Sequence, residues 1–199
     1  SLLTDALIVL QADAPEGQVF SKWNDGKADN PRIVTAADAS QLFPLFLPKT
    51  GQGAVCVKLP VLAGAGMGAV NVNAAAVTEG ESVQLKLVVL PSYSQSSVKV
   101  FANGKELDAT LSLRASSETK TLFYTLSGLS EDVDVEVSGL KQNEYVVSLE
   151  QQDGGIVRAS QVGMVKHGTI VTLEAAPDRG NMFVKWEDGN TLNPYRYVV

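Results

Sequence analysis

The two tryptophans of this chain sit in one pattern that occurs twice, and that duplication limits the folds open to it more than any other feature. At an offset of 163 positions, Leu10, Ala12, Gly17, Phe20, Lys22, Trp23, Asp25, Gly26, Asn30 and Pro31 meet Leu173, Ala175, Gly180, Phe183, Lys185, Trp186, Asp188, Gly189, Asn193 and Pro194 without a gap. A chain whose whole Trp content falls in register uses one structural unit more than once, and the unit has to be recognised before its elements are assigned. Residues 9–12 and 169–175 are short apolar, β-branched runs closed by Pro15 and Pro177, and Gly17 and Gly180 supply the positive φ of a turn. A second strand over residues 19–23, or 182–186, ends at Asn24-Asp25-Gly26 or Glu187-Asp188-Gly189, and the two strands are expected to form a hairpin. Asn30-Pro31 and Asn193-Pro194 mark a further loop, because the residue before proline is driven out of the helical region.

Counting removes several function classes. Sixteen Lys+Arg against 22 Asp+Glu leave a net charge of −6, the wrong sign for a phosphate-binding footprint, so no nucleic-acid partner is expected. With 45% apolar and 19% charged residues the chain can bury a core. No apolar run approaches the roughly 18 residues of a membrane helix, so these residues are not expected to insert into a membrane. One cysteine, Cys56, and one histidine, His167, exclude an internal disulfide and any metal site built on two imidazoles or several thiolates. The first five residues have neither the basic nor the apolar region of a signal peptide.

Between the repeats the texture changes. Val83, Leu85, Leu87 and Val89 alternate with Gln84, Lys86 and Val88, a period of two that places four apolar side chains on one face of a strand. Asn103-Gly104 follows the run 98–102 and is the strongest short hairpin signal, since both central residues of that turn need φ > 0. Residues 54–59, 70–72, 122–126 and 133–137 complete about six expected strands. Helical periodicity is confined to Thr35-Ala36-Ala37-Asp38, which predicts a single capped turn. The expected fold class is all-β, as small modules in tandem over residues 1–52, 53–142 and 143–199, the middle one resembling a β-sandwich.

The run Phe183-Val184-Lys185-Trp186-Glu187-Asp188-Gly189 with Asn193-Pro194, preceded by Gly154-Gly155-Ile156-Val157, Gly168-Thr169-Ile170-Val171 and Ala176-Pro177, resembles the divergent internalin-type B-repeat, related to the Listeria–Bacteroides repeat. The middle region, with its N-G-K-x-L hairpin at Asn103 to Leu107 and Y-T-L-S-G-L at Tyr124 to Leu129, is similar to immunoglobulin-like modules that alternate with such repeats in Bacteroides-type surface proteins. The resemblance implies exported, cell-surface or extracellular modules strung in series, and no catalysis. Because Ser1 aligns with Met164 and the second copy stops before a counterpart of residues 41–47, the chain reads as an excerpt of a longer array, with poorly paired strands expected at its ends.

Chemistry-bearing candidates each have a structural reading beside the functional one. Ala63-Gly64-Ala65-Gly66-Met67-Gly68 is followed by a β-type Val-Asn-Val where a phosphate loop needs a helix, so it reads as a linker or bulge. Trp23 and Trp186 could stack on sugars. As the largest apolar side chains of small modules they read first as core anchors, and Trp186→Ala is expected to cost ~3–5 kcal/mol. Asp25, Asp178, Glu187 and Asp188 lie near turns without the spacing of a calcium loop and read as turn caps. His167 reads as an exposed loop residue, and Cys56 as a packed small residue. Phe20, Trp23, Asp25, Gly26, Phe183, Trp186, Asp188 and Gly189 therefore form a structural motif, with no catalytic, cofactor or metal residues expected. The functional expectation is a non-catalytic structural or adhesive segment whose partner is a cell-surface protein or glycan. The alternative is a carbohydrate-binding module of a secreted polysaccharide-processing protein, carried by Trp23 and Trp186.

Overall fold

Short β-branched runs punctuated by Gly, Pro and Asn produce a chain in which strands carry nearly all the regular structure. The computed structural model describes residues 5–49, 53–62, 67–114 and 118–199. They divide into two compact units, Ser1–Leu140 and Lys141–Val199.

The first unit begins with β1 (Leu7–Leu10), β2 (Gln18–Trp23), β3 (Arg32–Thr35), the single turn α1 (Ala36–Ala39) and β4 (Pro44–Pro48). Thr35 caps α1 as its sequence predicts, its hydroxyl accepting the Asp38 N–H at 3.2 Å. The hairpin expected between β1 and β2 does not form. β1 pairs antiparallel with β3, from Leu7↔Thr35 to Leu10↔Arg32, and β2 pairs with β4, with Phe20 opposite Phe46. The Asn30 side chain accounts for the difference: it accepts the Ala12 N–H at 2.9 Å and donates to the Ala12 carbonyl at 2.7 Å. The chain leaving β1 is thereby tied to the segment entering β3 rather than to β2.

Nine strands follow: β5 (Ala54–Lys58), β6 (Gly68–Val72), β7 (Ala76–Thr78), β8 (Val83–Val89), β9 (Lys99–Ala102), β10 (Lys105–Leu107), β11 (Leu111–Arg114), β12 (Lys120–Leu126) and β13 (Val133–Ser138). The additional ones, β7 and β11, have three and four residues, too few to display an alternation. They form one sheet in the order β10-β9-β13-β5-β7 and another in the order β11-β12-β8-β6, antiparallel except for the pair β13 and β5. The alternating face of β8 is fully buried, Val83, Leu85, Leu87 and Val89 each being at most 1% exposed. It shares one core with Val55, Val57, Val100, Val133 and Val135 of the other sheet. Each such side chain contributes about 1.5–3 kcal/mol by leaving water, so this core dominates the stability of the unit. Asn103 (φ 47°) and Gly104 (φ 77°) make the predicted two-residue turn between β9 and β10.

β2 carries a bulge between Phe20 and Lys22, and the displaced residue, Ser21, reaches β7. The Ser21 hydroxyl donates to the Ala76 carbonyl at 2.6 Å, and its own carbonyl accepts the Ala75 N–H at 2.7 Å. Ser21 is buried.

The second unit comprises β14 (Glu144–Val147), β15 (Gly155–Ala159), β16 (Gly163–Lys166), β17 (Ile170–Pro177) and β18 (Tyr195–Val198). β14 pairs with β16, while β15, β17 and β18 form a separate antiparallel sheet. Val165 and Val171 are its most completely buried side chains. The strand expected over residues 182–186 is not formed: residues 181–186 run past β17 with no ladder. The partner of β2 is β4, and at the repeat offset its counterpart would fall at positions 207–211, past Val199.

Candidate functional site

Among the described residues, the duplicated motif is the constellation whose residue types recur in fixed geometry. β17 and β18 pair in the register of β1 and β3 moved by the repeat offset, Ile170↔Val198 standing for Leu7↔Thr35 and Leu173↔Tyr195 for Leu10↔Arg32. Each Trp closes the turn beside it in the same way. Trp23 Nε1 donates to the Asp29 carbonyl at 2.8 Å, and Trp186 Nε1 to the Leu192 carbonyl at 2.7 Å. Their backbone N–H groups donate to Lys27 and Asn190, and Gly26 and Gly189, both at positive φ, donate back to the Trp carbonyls. Phe20 packs on Trp23 with ring centroids 5.7 Å apart, and Phe183 on Trp186 at 5.1 Å. Both Asn–Pro peptide bonds are cis. Asn193 holds Ala175 by the same two bonds, at 2.9 and 2.7 Å, that Asn30 makes to Ala12.

Asn30 and Asn193 were missed as positioning residues by reading their sequence as a loop signal. The available signal was their constant spacing of 18 from Ala12 and Ala175, which repeats in both copies. Asn30→Ala is expected to cost about 2–4 kcal/mol, because it orphans a donor and an acceptor on buried Ala12. Asn193→Ala is expected to cost less, since Ala175 is half-exposed and water can replace the side chain. Urea unfolding of the two variants, followed by aromatic fluorescence, checks the order.

The carboxylate of the motif is held differently in each copy. Arg32 forms a bidentate pair with Asp25 (2.9 and 3.0 Å) and lays its guanidinium over the Trp23 ring, 5.8 Å from the centroid. The Arg32 hydrogen bond holds the Asp25 carboxyl below its ordinary value of 3.8. Tyr195 stands at the Arg32 position of the second copy and packs on Trp186 at 6.3 Å. The neighbouring Asp188 carboxylate holds its phenol above the ordinary value of 10.0.

The two shifts act on stability in opposite directions. A lowered folded-state value for Asp25 gives stability that is complete above about pH 4 and lost as pH falls through the folded value. A raised value for Tyr195 gives stability that is complete below about pH 10 and lost as pH rises beyond it. The stability difference between the wild type and Arg32→Ala is therefore expected to shrink on acidification below pH 4. That between the wild type and Tyr195→Phe should shrink above pH 10. Urea midpoints measured across both ranges test the pair, and flat differences would refute the assignment.

The two indoles differ in surroundings. Trp23 is only 3% exposed. Trp186 is half-buried and lines an open groove of about 950 Å³ with Leu173, Phe183, Tyr195 and Tyr197. The remaining candidates have other partners. His167 is half-buried rather than exposed, its ring 5.9 Å from that of Tyr145 with Nδ1 3.4 Å from the Tyr hydroxyl, because β14 and β16 bring the two together. Cys56 faces away from buried Val55 and Val57 and is half-exposed, its N–H donating to Asp132 at 2.8 Å. Burial, and the Asp132 carboxylate after it, push its thiol up, away from the reactive thiolate.

Residues 63–66 of the glycine-rich run lie outside the described residues. Gly68 opens β6. Asp25 and Asp188 accept backbone N–H groups of their own turns, from Lys27 and Asn190, as capping carboxylates do. Among the described residues no group of three His, Cys, Asp or Glu side chains is placed to hold a metal ion. Among them, too, no buried side-chain nitrogen or oxygen lacks a hydrogen-bond partner.

No curated protein and no solved structure matches the chain. Residues 145–196, about a quarter of its length, match the family model of the divergent InlB B-repeat domain, a repeat domain and not an enzyme family. The match spans β14 through the Trp186 turn and into β18, most of the second unit.

Proposed function

We propose that the chain is a non-catalytic structural or adhesive segment of a bacterial cell-surface or secreted protein, acting as spacer or interaction module. On this reading residues 5–49 form a second, B-repeat-type module, and the sandwich after it is of immunoglobulin-like character. The observation that carries the proposal is the repeated use of the motif's polar groups on its own backbone. Trp, Asn, Asp and Gly of both copies close turns and tie strands at matching positions. Groups held that way are committed to the scaffold rather than offered to a substrate. The family match of residues 145–196 to a repeat domain supports the same reading.

One observation favours the alternative, a carbohydrate-binding module: in the second copy Trp186, Tyr195 and Tyr197 line an open groove, and flat rings of that kind cover the apolar faces of sugars. Titrating the full chain with a glycan panel while following Trp emission separates the two. The scaffold reading expects no saturable shift. A shift abolished by Trp186→Ala and retained in Trp23→Ala would establish the binding module instead. Antibodies against residues 141–199 are expected to label intact cells, and labelling only after lysis would overturn surface location.

A further inference from the structure

Among the described strand pairs one runs parallel, and it joins the first and last strands of the sandwich. β5 opens that fold at Ala54 and β13 closes it at Ser138, with Val57 opposite Val133 and Lys58 opposite Asp134. Tension along the chain therefore pulls β5 back towards its start and β13 forward towards its end. The two strands are loaded in opposite senses along their common axis, so the links between them have to fail together. In an antiparallel pair loaded at facing ends the links fail one after another. β2 and β4 are such a pair, since the chain enters at Gln18 and leaves at Pro48, which stand opposite each other.

We propose that the β5–β13 pair is a shear joint that makes the sandwich resist tension passing along the chain; its use rests on the spacer reading, its existence on geometry alone. Three successive ranks are fastened by different means. The Asp132 carboxylate accepts the Cys56 N–H at 2.8 Å. Val57 and Val133 follow, both buried in the core that the two sheets share. Lys58 Nζ then lies 3.3 Å from the Asp134 carboxylate, an exposed pair that adds little at rest. Asn103 braces the start of β13, its amide donating to the Asp132 carbonyl at 3.0 Å and accepting the Asp134 N–H at 2.8 Å, on either side of Val133. Neither strand is at a sheet edge: β7 covers the other side of β5, and β9 the other side of β13, so neither can peel away sideways.

Single-molecule stretching of the full chain, held by its two ends, tests the joint. Release of residues 54–138 is expected as one event that lengthens the chain by about 250–300 Å, at a higher force than the opening of residues 5–49. A second geometry places the handles at Lys58→Cys and Glu106→Cys in a Cys56→Ser background, so that the pull crosses the sheet and opens its bonds in turn. The end-to-end force on the sandwich should be about twofold the force across the sheet, because forced unfolding is governed by the unfolding barrier. Asp132→Ala should speed end-to-end unfolding at constant force about tenfold, the effect of one hydrogen bond to a charged group. Val70→Ala, packed on the same core from β6, should lower the urea midpoint yet change that rate by less than about twofold. Equal forces in the two geometries overturn the proposal. So does an Asp132→Ala chain as resistant as the wild type, or a sandwich that yields before residues 5–49. Labelling of intact cells decides the spacer reading separately: full resistance in a chain that is not displayed would uphold the joint and refute that reading.

Discussion

Trp23→Ala is expected to lower the unfolding free energy by about 4 kcal/mol, whereas Trp186→Ala should cost only about 1–2 kcal/mol. The same residue, turn and Nε1 hydrogen bond occur in both copies, so the difference lies in what surrounds the ring. At 3% exposure Trp23 is enclosed by Phe20 and by the Arg32 guanidinium, and β2 is held on one side by β4 and on the other by the Ser21 bonds to β7. Removing it leaves a cavity that this bracing prevents from collapsing. Trp186 already meets water, so its loss forfeits only part of its apolar area, and the ~3–5 kcal/mol expected from its sequence setting is too large. Urea unfolding of both variants checks the asymmetry. Equal costs would mean that the groove around Trp186 closes in solution.

Gly68→Ala is expected to cost more than about 3 kcal/mol, a large loss for a single methyl group. Gly68 opens β6 at φ +143°, a conformation that residues with a side chain rarely adopt. A Cβ there would meet the Val88 carbonyl oxygen at 1.8 Å and the carbonyl carbon at 2.8 Å, both backbone atoms that cannot swing aside. Either β6 separates from β8 at the Gly68↔Val89 pair, or the β8 backbone shifts and disturbs fully buried Val89. A loss of more than 5 °C in melting temperature is the expected readout, and a variant melting within 1 °C of wild type would show that the end of β6 can relax. This requirement also gives the last glycine of the run a structural reason that involves no phosphate.

What could be read from the sequence was local. Period-two burial in β8, the Asn103-Gly104 turn and the Thr35 cap each depend on residues a few positions apart, and the structure shows all three. The duplication was legible as well, because an ungapped offset preserves spacing and spacing preserves the turn. Strand partnership was not legible. β1 and β2 are neighbours in sequence, but Asn30 reaches back 18 positions to Ala12 and so passes the pairing to β3, and no periodicity within β1 announces this. Nor could the unequal burial of two identical Trp residues be seen, since Trp23 is enclosed by β4 and β7, which lie outside the motif.

The clamp that Asn30 forms with Ala12 at the base of the excursion 13–29 has a bearing on variation and engineering. Because the Asn30 side chain ties the end of that excursion to its start at Ala12, and the Arg32 pair with Asp25 fastens it to β3, the turn at residues 15–17 can be replaced without shifting the Leu7↔Thr35 alignment. The tip of each repeat is thus a natural graft point, where foreign epitopes can be presented while the pedestal beneath stays unaltered.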